Sequence, residues 1–285
     1  HREEFGIMKG TFWSPTGMLL AFYKMDQRMV ANYPIIDWTV RPAKNNYVKY
    51  PMAGEKSHEV TVGIYNVSTG KTVFLQTGEP KEQYLTNICW SPDEQHIYIA
   101  VLNREQNHLK LNSYNVATGY LERTILEEKN EKYVHPVNPM LFVPKHSDQF
   151  IWQSEKDGYN QLYLYNINGN LLKQLTKGNW IVTKVEGFDA KGTKLFYTST
   201  AEGPVTRNLY SVDLKKGVST RISAGDGIHY TMLSSNGKYS LDNFQSITVP
   251  REIAVYSTQG KKINPIKISE NPLKEYKLGA VNIFK

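Results

Sequence analysis

The stretch Thr11-Phe12-Trp13-Ser14-Pro15-Thr16-Gly17-Met18-Leu19-Leu20-Ala21-Phe22-Tyr23 constrains the fold most, because it recurs. It reads as an apolar strand, a tight turn and a second apolar strand. Ile88-Cys89-Trp90-Ser91-Pro92-Asp93-Glu94-Gln95-His96-Ile97-Tyr98-Ile99-Ala100 repeats it closely. Looser copies run from Met140-Leu141-Phe142-Val143-Pro144 to Phe150-Ile151-Trp152, and from Gly187-Phe188-Asp189-Ala190-Lys191-Gly192 to Leu195-Phe196-Tyr197. A last copy runs from Met232-Leu233-Ser234-Ser235-Asn236-Gly237 to Tyr239. Counted on the fourth turn residue (Gly17, Glu94, His146, Gly192, Gly237), the steps are 77, 52, 46 and 45 residues. Recurrence at this length marks a repeat architecture.

A second landmark follows each turn. Tyr65, Tyr114, Tyr165, Tyr210 and Tyr256 stand in apolar runs that end at Gly70, Gly119, Gly169, Gly217 and Gly260, with tyrosine steps of 49, 51, 45 and 46. Each unit therefore holds four strands: one before the first turn, one after it, the tyrosine strand, and one after the glycine. Apolar residues such as Val62, Ile64 and Val67 suit strands with one face buried. Four short antiparallel strands per unit is the make-up of a β-propeller blade, which runs roughly 40–50 residues. The chain is thus expected to be all-β, a partial β-propeller of about five four-stranded blades over 1–268. Their bounds are about 5–77, 82–130, 131–178, 179–225 and 226–268, with 269–285 as a linker. A β-sandwich of similar strand count is the alternative, although a sandwich does not need five matching turns. The five tyrosines should occupy equivalent positions in the third strands.

Composition excludes several function classes. A formal charge of +7 is spread along the chain instead of clustered, which suits solubility and not nucleic-acid binding. Cys89, on a strand expected to be buried, is the only cysteine, so no intrachain disulfide and no multi-cysteine metal site can form. No run of 18 apolar residues offers a membrane span. Seven scattered histidines show no metal-ligand spacing, and Gly-x-Ser-x-Gly, His-Glu-x-x-His, P-loop and dinucleotide motifs are missing. These residues carry no catalytic constellation and imply no cofactor. The opening His1-Arg2-Glu3-Glu4, without Met or apolar leader, reads as an excised piece of a longer protein.

Two features remain. Residues 27–57 interrupt the first repeat and account for its 77-residue step. Loops longer than about 15 residues are usually functional or disordered. With Ile35, Ile36, Trp38 and Val40 the segment is too apolar for disorder, so an irregular protruding hairpin that buries against something is expected. The second feature is the adjacent pair Glu3 and Glu4, which by itself reads as two solvated acids at a frayed end.

A resemblance gives both features a role. Arg2-Glu3-Glu4-Phe5-Gly6, followed by Trp13-Ser14-Pro15-Thr16-Gly17, resembles the dipeptidyl peptidase IV family, where a double glutamate precedes a propeller strand ending in Trp-Ser-Pro-x-Gly. Tyr50-Pro51-Met52-Ala53-Gly54 is similar to the family's Tyr-Pro-Lys-Ala-Gly, with Met52 as the departure. Gly158-Tyr159, Thr176-Lys177-Gly178-Asn179-Trp180 and Arg207-Asn208-Leu209-Tyr210 follow in the family's order, so the likeness spans nearly the whole chain.

The resemblance implies a serine exopeptidase with an eight-bladed propeller over an α/β-hydrolase domain, releasing dipeptides with Pro or Ala in second position. Glu3 and Glu4 would bind the substrate's N-terminus. The arm's Ile35, Ile36 and Trp38 would serve dimerisation. The earlier blades and a substrate-binding arginine would precede His1, and the Ser-Asp-His triad would follow Lys285, so the chain alone should hydrolyse nothing. The lone cysteine departs from disulfide-rich animal members and points to a bacterial protein exported to the periplasm or envelope.

The chemistry suits an exopeptidase. A substrate ammonium, pKa roughly 7.7–8.0, is mostly protonated at neutral pH, and two carboxylates offer charge-assisted acceptors to its three donors. Neighbouring residues on a strand face opposite ways, so residues 1–5 should turn and not extend. The competing reading is a non-catalytic propeller that scaffolds a protein or glycan, since propellers host many functions.

Overall fold

The computed structural model describes residues 4–277 and 279, and all regular structure among them is β. Five four-stranded sheets and one two-stranded hairpin form, every sheet an antiparallel meander. The first sheet holds β1 (Thr11–Trp13) and β2 (Leu19–Asp26). The hairpin of β3 (Asn32–Asp37) and β4 (Lys44–Lys49) follows, and β5 (Glu59–Asn66) and β6 (Thr72–Phe74) then complete the first sheet. The second comprises β7 (Tyr84–Trp90), β8 (His96–Leu102), β9 (His108–Asn115) and β10 (Leu121–Lys129). The third comprises β11 (Leu141–Val143), β12 (His146–Ser154), β13 (Gln161–Asn166) and β14 (Leu171–Gln174). The fourth is built from β15 (Val182–Phe188), β16 (Lys194–Ser199), β17 (Asn208–Asp213) and β18 (Ser219–Arg221). The fifth is built from β19 (Ile228–Leu233), β20 (Tyr239–Gln245), β21 (Arg251–Ser257) and β22 (Lys262–Ser269). This is the blade composition expected of a propeller segment.

The recurring first turn has one construction. The Ser14 N–H donates to the Leu19 carbonyl at 2.9 Å, and its hydroxyl accepts the Leu19 N–H at 3.1 Å. Ser91 does the same for His96 at 3.0 Å and Ser234 for Tyr239 at 3.0 Å. In the fourth sheet the Asp189 carboxylate takes this role, accepting from Thr193 and Lys194. The last turn residue is left-handed in each: Gly17, Gly192 and Gly237 at φ 75, 69 and 63, and Glu94 at φ 59. The third sheet departs from the expected alignment. Its turn is the shorter Pro144-Lys145, with Lys145 left-handed at φ 67 and His146 already paired with Val143 on β12.

The turn after each third strand is equally stereotyped. Side chains of Asn66, Asn115 and Asn166 accept backbone N–H groups two to four residues on. Asp213 does so for Lys216 and Ser257 for Lys261. On this frame Tyr65, Tyr114, Tyr165 and Tyr256 are equivalent, each the penultimate strand residue. Tyr210 is not. Asp213, not Ser211, closes its turn, so Val212 takes the equivalent place and Tyr210 lies two residues earlier on the same strand face. Val62 and Ile64 are buried as expected, whereas Val67 lies past the end of β5 and is exposed. Cys89 on β7 is only partly covered.

The chain divides into two compact units, residues 1–139 and 140–285. In the first, Ala21, Val62, Ile64 and Leu75 pack against Leu85, Ile88, Trp90, Ile97 and Ile99 of the second sheet. The Trp90 Nε1–H donates to the Phe12 carbonyl at 3.1 Å, and the Tyr23 hydroxyl to that of Leu85 at 2.7 Å. In the second unit, Val143, Ile151, Leu162 and Leu164 of the third sheet join Val182, Leu195, Tyr197 and Val212 of the fourth. Full burial of each large aliphatic or aromatic side chain contributes about 1.5–3 kcal/mol. Glycine is required where turns meet: a Cβ on Gly192 would lie 2.3 Å from the Pro144 carbonyl oxygen. Within the fifth sheet the buried side chains of His229 on β19 and Asp242 on β20 meet, with His229 Nδ1 2.7 Å from a carboxylate oxygen.

The arm is more regular than its sequence suggests. β3 and β4 pair without a bulge from Asn32 opposite Lys49 to Asp37 opposite Lys44. The Asp37 carboxylate accepts from the Thr39 N–H and hydroxyl, closing the tip. At the root, Tyr33 packs on Tyr50 and the Lys49 ammonium donates to the Val30 carbonyl at 2.8 Å. Alternation delivers polar Asn and Lys to the ribbon along with its apolar residues, so neither face forms a core.

Candidate functional site

Glu4 opens a tight turn. The Ile7 N–H donates to the Glu4 carbonyl at 2.9 Å, while Phe5 and Gly6 are both left-handed at φ 49 and 73. Two consecutive positive φ values define a type I′ turn. Gly supplies this freely, whereas a left-handed aromatic residue costs roughly 1–2 kcal/mol. The expectation of a turned N-terminal segment thus holds at Glu4-Phe5; Glu3 lies outside the described residues.

Surrounding residues hold the turn in that strained form. Ile7 is buried. The Phe5 ring meets Tyr84 edge-on at 4.9 Å between centroids and His135 at 6.3 Å. A Cβ on Gly6 would fall 2.0 Å from the Val137 carbonyl oxygen, so only glycine lets the turn lie against this strand of backbone. Segment 134–137 is itself tied down, the Val134 N–H donating to the Gln106 carbonyl at 2.7 Å. Glu4 remains exposed at the surface.

Polar groups hold Tyr84, on which Phe5 packs. Arg104, from the turn between β8 and β9, donates to the Tyr84 hydroxyl and sets its guanidinium 5.7 Å from the Tyr84 ring centre. The Gln106 amide reaches the same hydroxyl at 3.3 Å. Burial pushes the His58 imidazole below its usual value; Glu4 opposes this and Arg104 reinforces it. Glu4 and Arg104 thus act on the His58 imidazole in opposite directions. An exposed carboxylate on a pinned turn can accept hydrogen bonds from a cation at a fixed position. Among the described residues, no group of three or more His, Cys, Asp or Glu side chains could hold a metal ion.

Ile35, Ile36 and Trp38 lie elsewhere, on β3 and just after it, and all three are exposed, Trp38 to 77 %. His58, Tyr84, Arg104 and His135 were not singled out by the sequence. They come from three separate connections and the start of β7, which no spacing in the sequence brings together.

Comparison with known proteins bears on the fold and the family. The family described as "Dipeptidyl peptidase IV (DPP IV) N-terminal region" matches residues 1–251. Dipeptidyl peptidase 4 of Arthroderma otae is 27% identical over 304 residues, covering 99% of this chain and 39% of the relative. A crystal structure described as a dipeptidyl aminopeptidase IV from Bacteroides ovatus ATCC 8483 superposes with a TM-score of 0.90 at 40% identity, covering 97% of this chain and 42% of that one. Porphyromonas gingivalis dipeptidyl peptidase 4 superposes with a TM-score of 0.83 at 30% identity, covering 93% and 38%. The chain thus spans about two fifths of the length of these relatives. With its repeat, its five four-stranded sheets and a match over most of its length, the chain belongs to the dipeptidyl peptidase IV family, in whose N-terminal region it falls.

Proposed function

We propose that this chain is the substrate-gating, N-terminus-binding propeller portion of a serine exopeptidase that releases Xaa-Pro and Xaa-Ala dipeptides. One observation carries the reading: Glu4 is exposed on a turn in which Phe5 and Gly6 are left-handed, pinned by the packing of Phe5 on Tyr84 and by the buried Ile7. Backbone strain of this kind gathers at functional sites, where surrounding structure imposes it. Glu4, with Glu3 beside it, accepts the hydrogen bonds of the substrate's terminal ammonium. A fixed anion at one end of the peptide sets how many residues reach the nucleophile, which is how a dipeptide is measured.

In this reading a C-terminal α/β-hydrolase domain beyond Lys285 carries the Ser-Asp-His triad, and residues 269–285 lead to it. The chain alone hydrolyses nothing. The arm's Ile35, Ile36 and Trp38 meet a second copy, because an exposed apolar ribbon is otherwise an aggregation hazard. The parent protein works in the periplasm or envelope.

The test is Glu3→Gln and Glu4→Gln in the full-length protein. Truncating one side of a desolvated charge pair costs about 2–5 kcal/mol. Each variant should lose at least roughly 30-fold in kcat/KM on a Gly-Pro chromogenic substrate, the lower bound of that range. Reaction with a small serine-directed phosphonylating reagent should stay near normal. Near wild-type kcat/KM in both variants would overturn the reading.

A further inference from the structure

We propose that Arg104 and Tyr84 are positioning residues for Glu4, so that the β8–β9 turn of the second sheet sets substrate affinity through the angle of the Glu4 turn. The inference rests on the proposed role of Glu4.

The chain of contacts is short. Tyr84, the first residue of β7, is buried, and its ring edge supports the strained Phe5. Its hydroxyl is held from the far side by Arg104 and Gln106, both on the β8–β9 turn. Arg104 also lies over the same ring, so its planar guanidinium constrains the tyrosine in two ways. That turn is closed by its own hydrogen bonds. The Asn103 carboxamide oxygen accepts the N–H groups of Asn107 and His108 at 3.0 and 2.9 Å. Gln106, left-handed at φ 60, directs its carbonyl to Val134 and so anchors the segment lying against Gly6. Both sides of the Glu4 turn, the Phe5 ring and the Gly6 backbone, therefore lead back to residues 103–107. Glu4 is one covalent step from Phe5, so a shift of that ring tilts the carboxylate.

Arg104 separates positioning from simple charge. A cation near the amine site repels a substrate ammonium, so a purely electrostatic role predicts tighter binding once it is removed. A positioning role predicts the reverse.

The experiment uses the full-length enzyme with a Gly-Pro chromogenic substrate. Arg104 is exposed, so Arg104→Gln should fold, and Tyr84→Phe keeps the buried ring while removing the hydroxyl that ties it to Arg104. Arg104→Gln should raise KM about two- to fivefold, the range expected for losing a cation–π contact at an exposed site, and Tyr84→Phe, which keeps the ring and loses the hydroxyl bonds, should raise KM in the same direction, with kcat unchanged in both. Both should be silent in a Glu4→Gln background. An unchanged or lower KM in both, with Glu4→Gln alone still costing about 30-fold or more, overturns the positioning role and leaves the Glu4 reading standing. An effect that persists undiminished in the Glu4→Gln background also overturns it. A silent Glu4→Gln overturns both.

Discussion

At the scale of single residues, the repeat is explained by a few side-chain oxygens and one left-handed position per turn. Glu94 is the informative exception. It occupies the conformation that Gly17, Gly192 and Gly237 adopt freely, and its carboxylate accepts the Thr16 N–H and hydroxyl of the neighbouring sheet. Glu94→Ala removes these bonds and keeps the backbone strain; Glu94→Gly removes both. In the full-length protein the glycine variant should be the more stable of the two by about 1 kcal/mol, readable as the higher melting temperature. Asp189 makes a prediction with pH. Burial tends to raise its pKa, but hydrogen bonds from Lys194 and Thr193 prevail and hold it below the usual 3.8. A lowered folded pKa contributes stability that is present above the unfolded value and is lost as pH falls through the folded one. The stability difference between wild type and Asp189→Asn should therefore be largest above about pH 4 and shrink below it, as urea titrations at several pH values would show. The Ser and Gly of these turns were legible in the sequence. That Asp189 does the work of a serine, or Glu94 that of a glycine, emerges only when the hydrogen bonds are seen.

At the scale of elements, strand order followed from the spacing of turn and tyrosine, because each four-strand meander is closed by local contacts. Two alignments failed for local reasons. In the third sheet the turn is shorter, so His146 lies on β12, and in the fourth Val212, not Tyr210, aligns with the other tyrosines. A motif of one tyrosine tolerates a shift of two, since that keeps the same strand face. The arm shows a different limit. Its apolar content was visible, but its regular register was not, because Asn and Lys interleave with the apolar residues on both strands. If the arm joins two copies, Ile36→Lys or Trp38→Glu in the full-length protein should convert a dimer to a monomer in sedimentation velocity, without lowering the melting temperature of the subunit. An unchanged dimer in both variants would refute this role.

At the scale of the molecule, the repeat and the family resemblance conveyed fold and family, while the surroundings of Glu4 stayed hidden. Phe5, His58, Tyr84, Arg104 and His135 come together only through the packing of the first two sheets, which no spacing in the sequence reports. The central claim, that these carboxylates read a free amino terminus, is tested most directly by substrate discrimination. In the full-length protein, kcat/KM is compared for a Gly-Pro anilide and its desamino analogue, for wild type and for Glu4→Gln. The account predicts a strong wild-type preference for the free amine, and a loss of at least roughly 30-fold in that preference when Glu4 is neutralised. The same ratio in both proteins would contradict it.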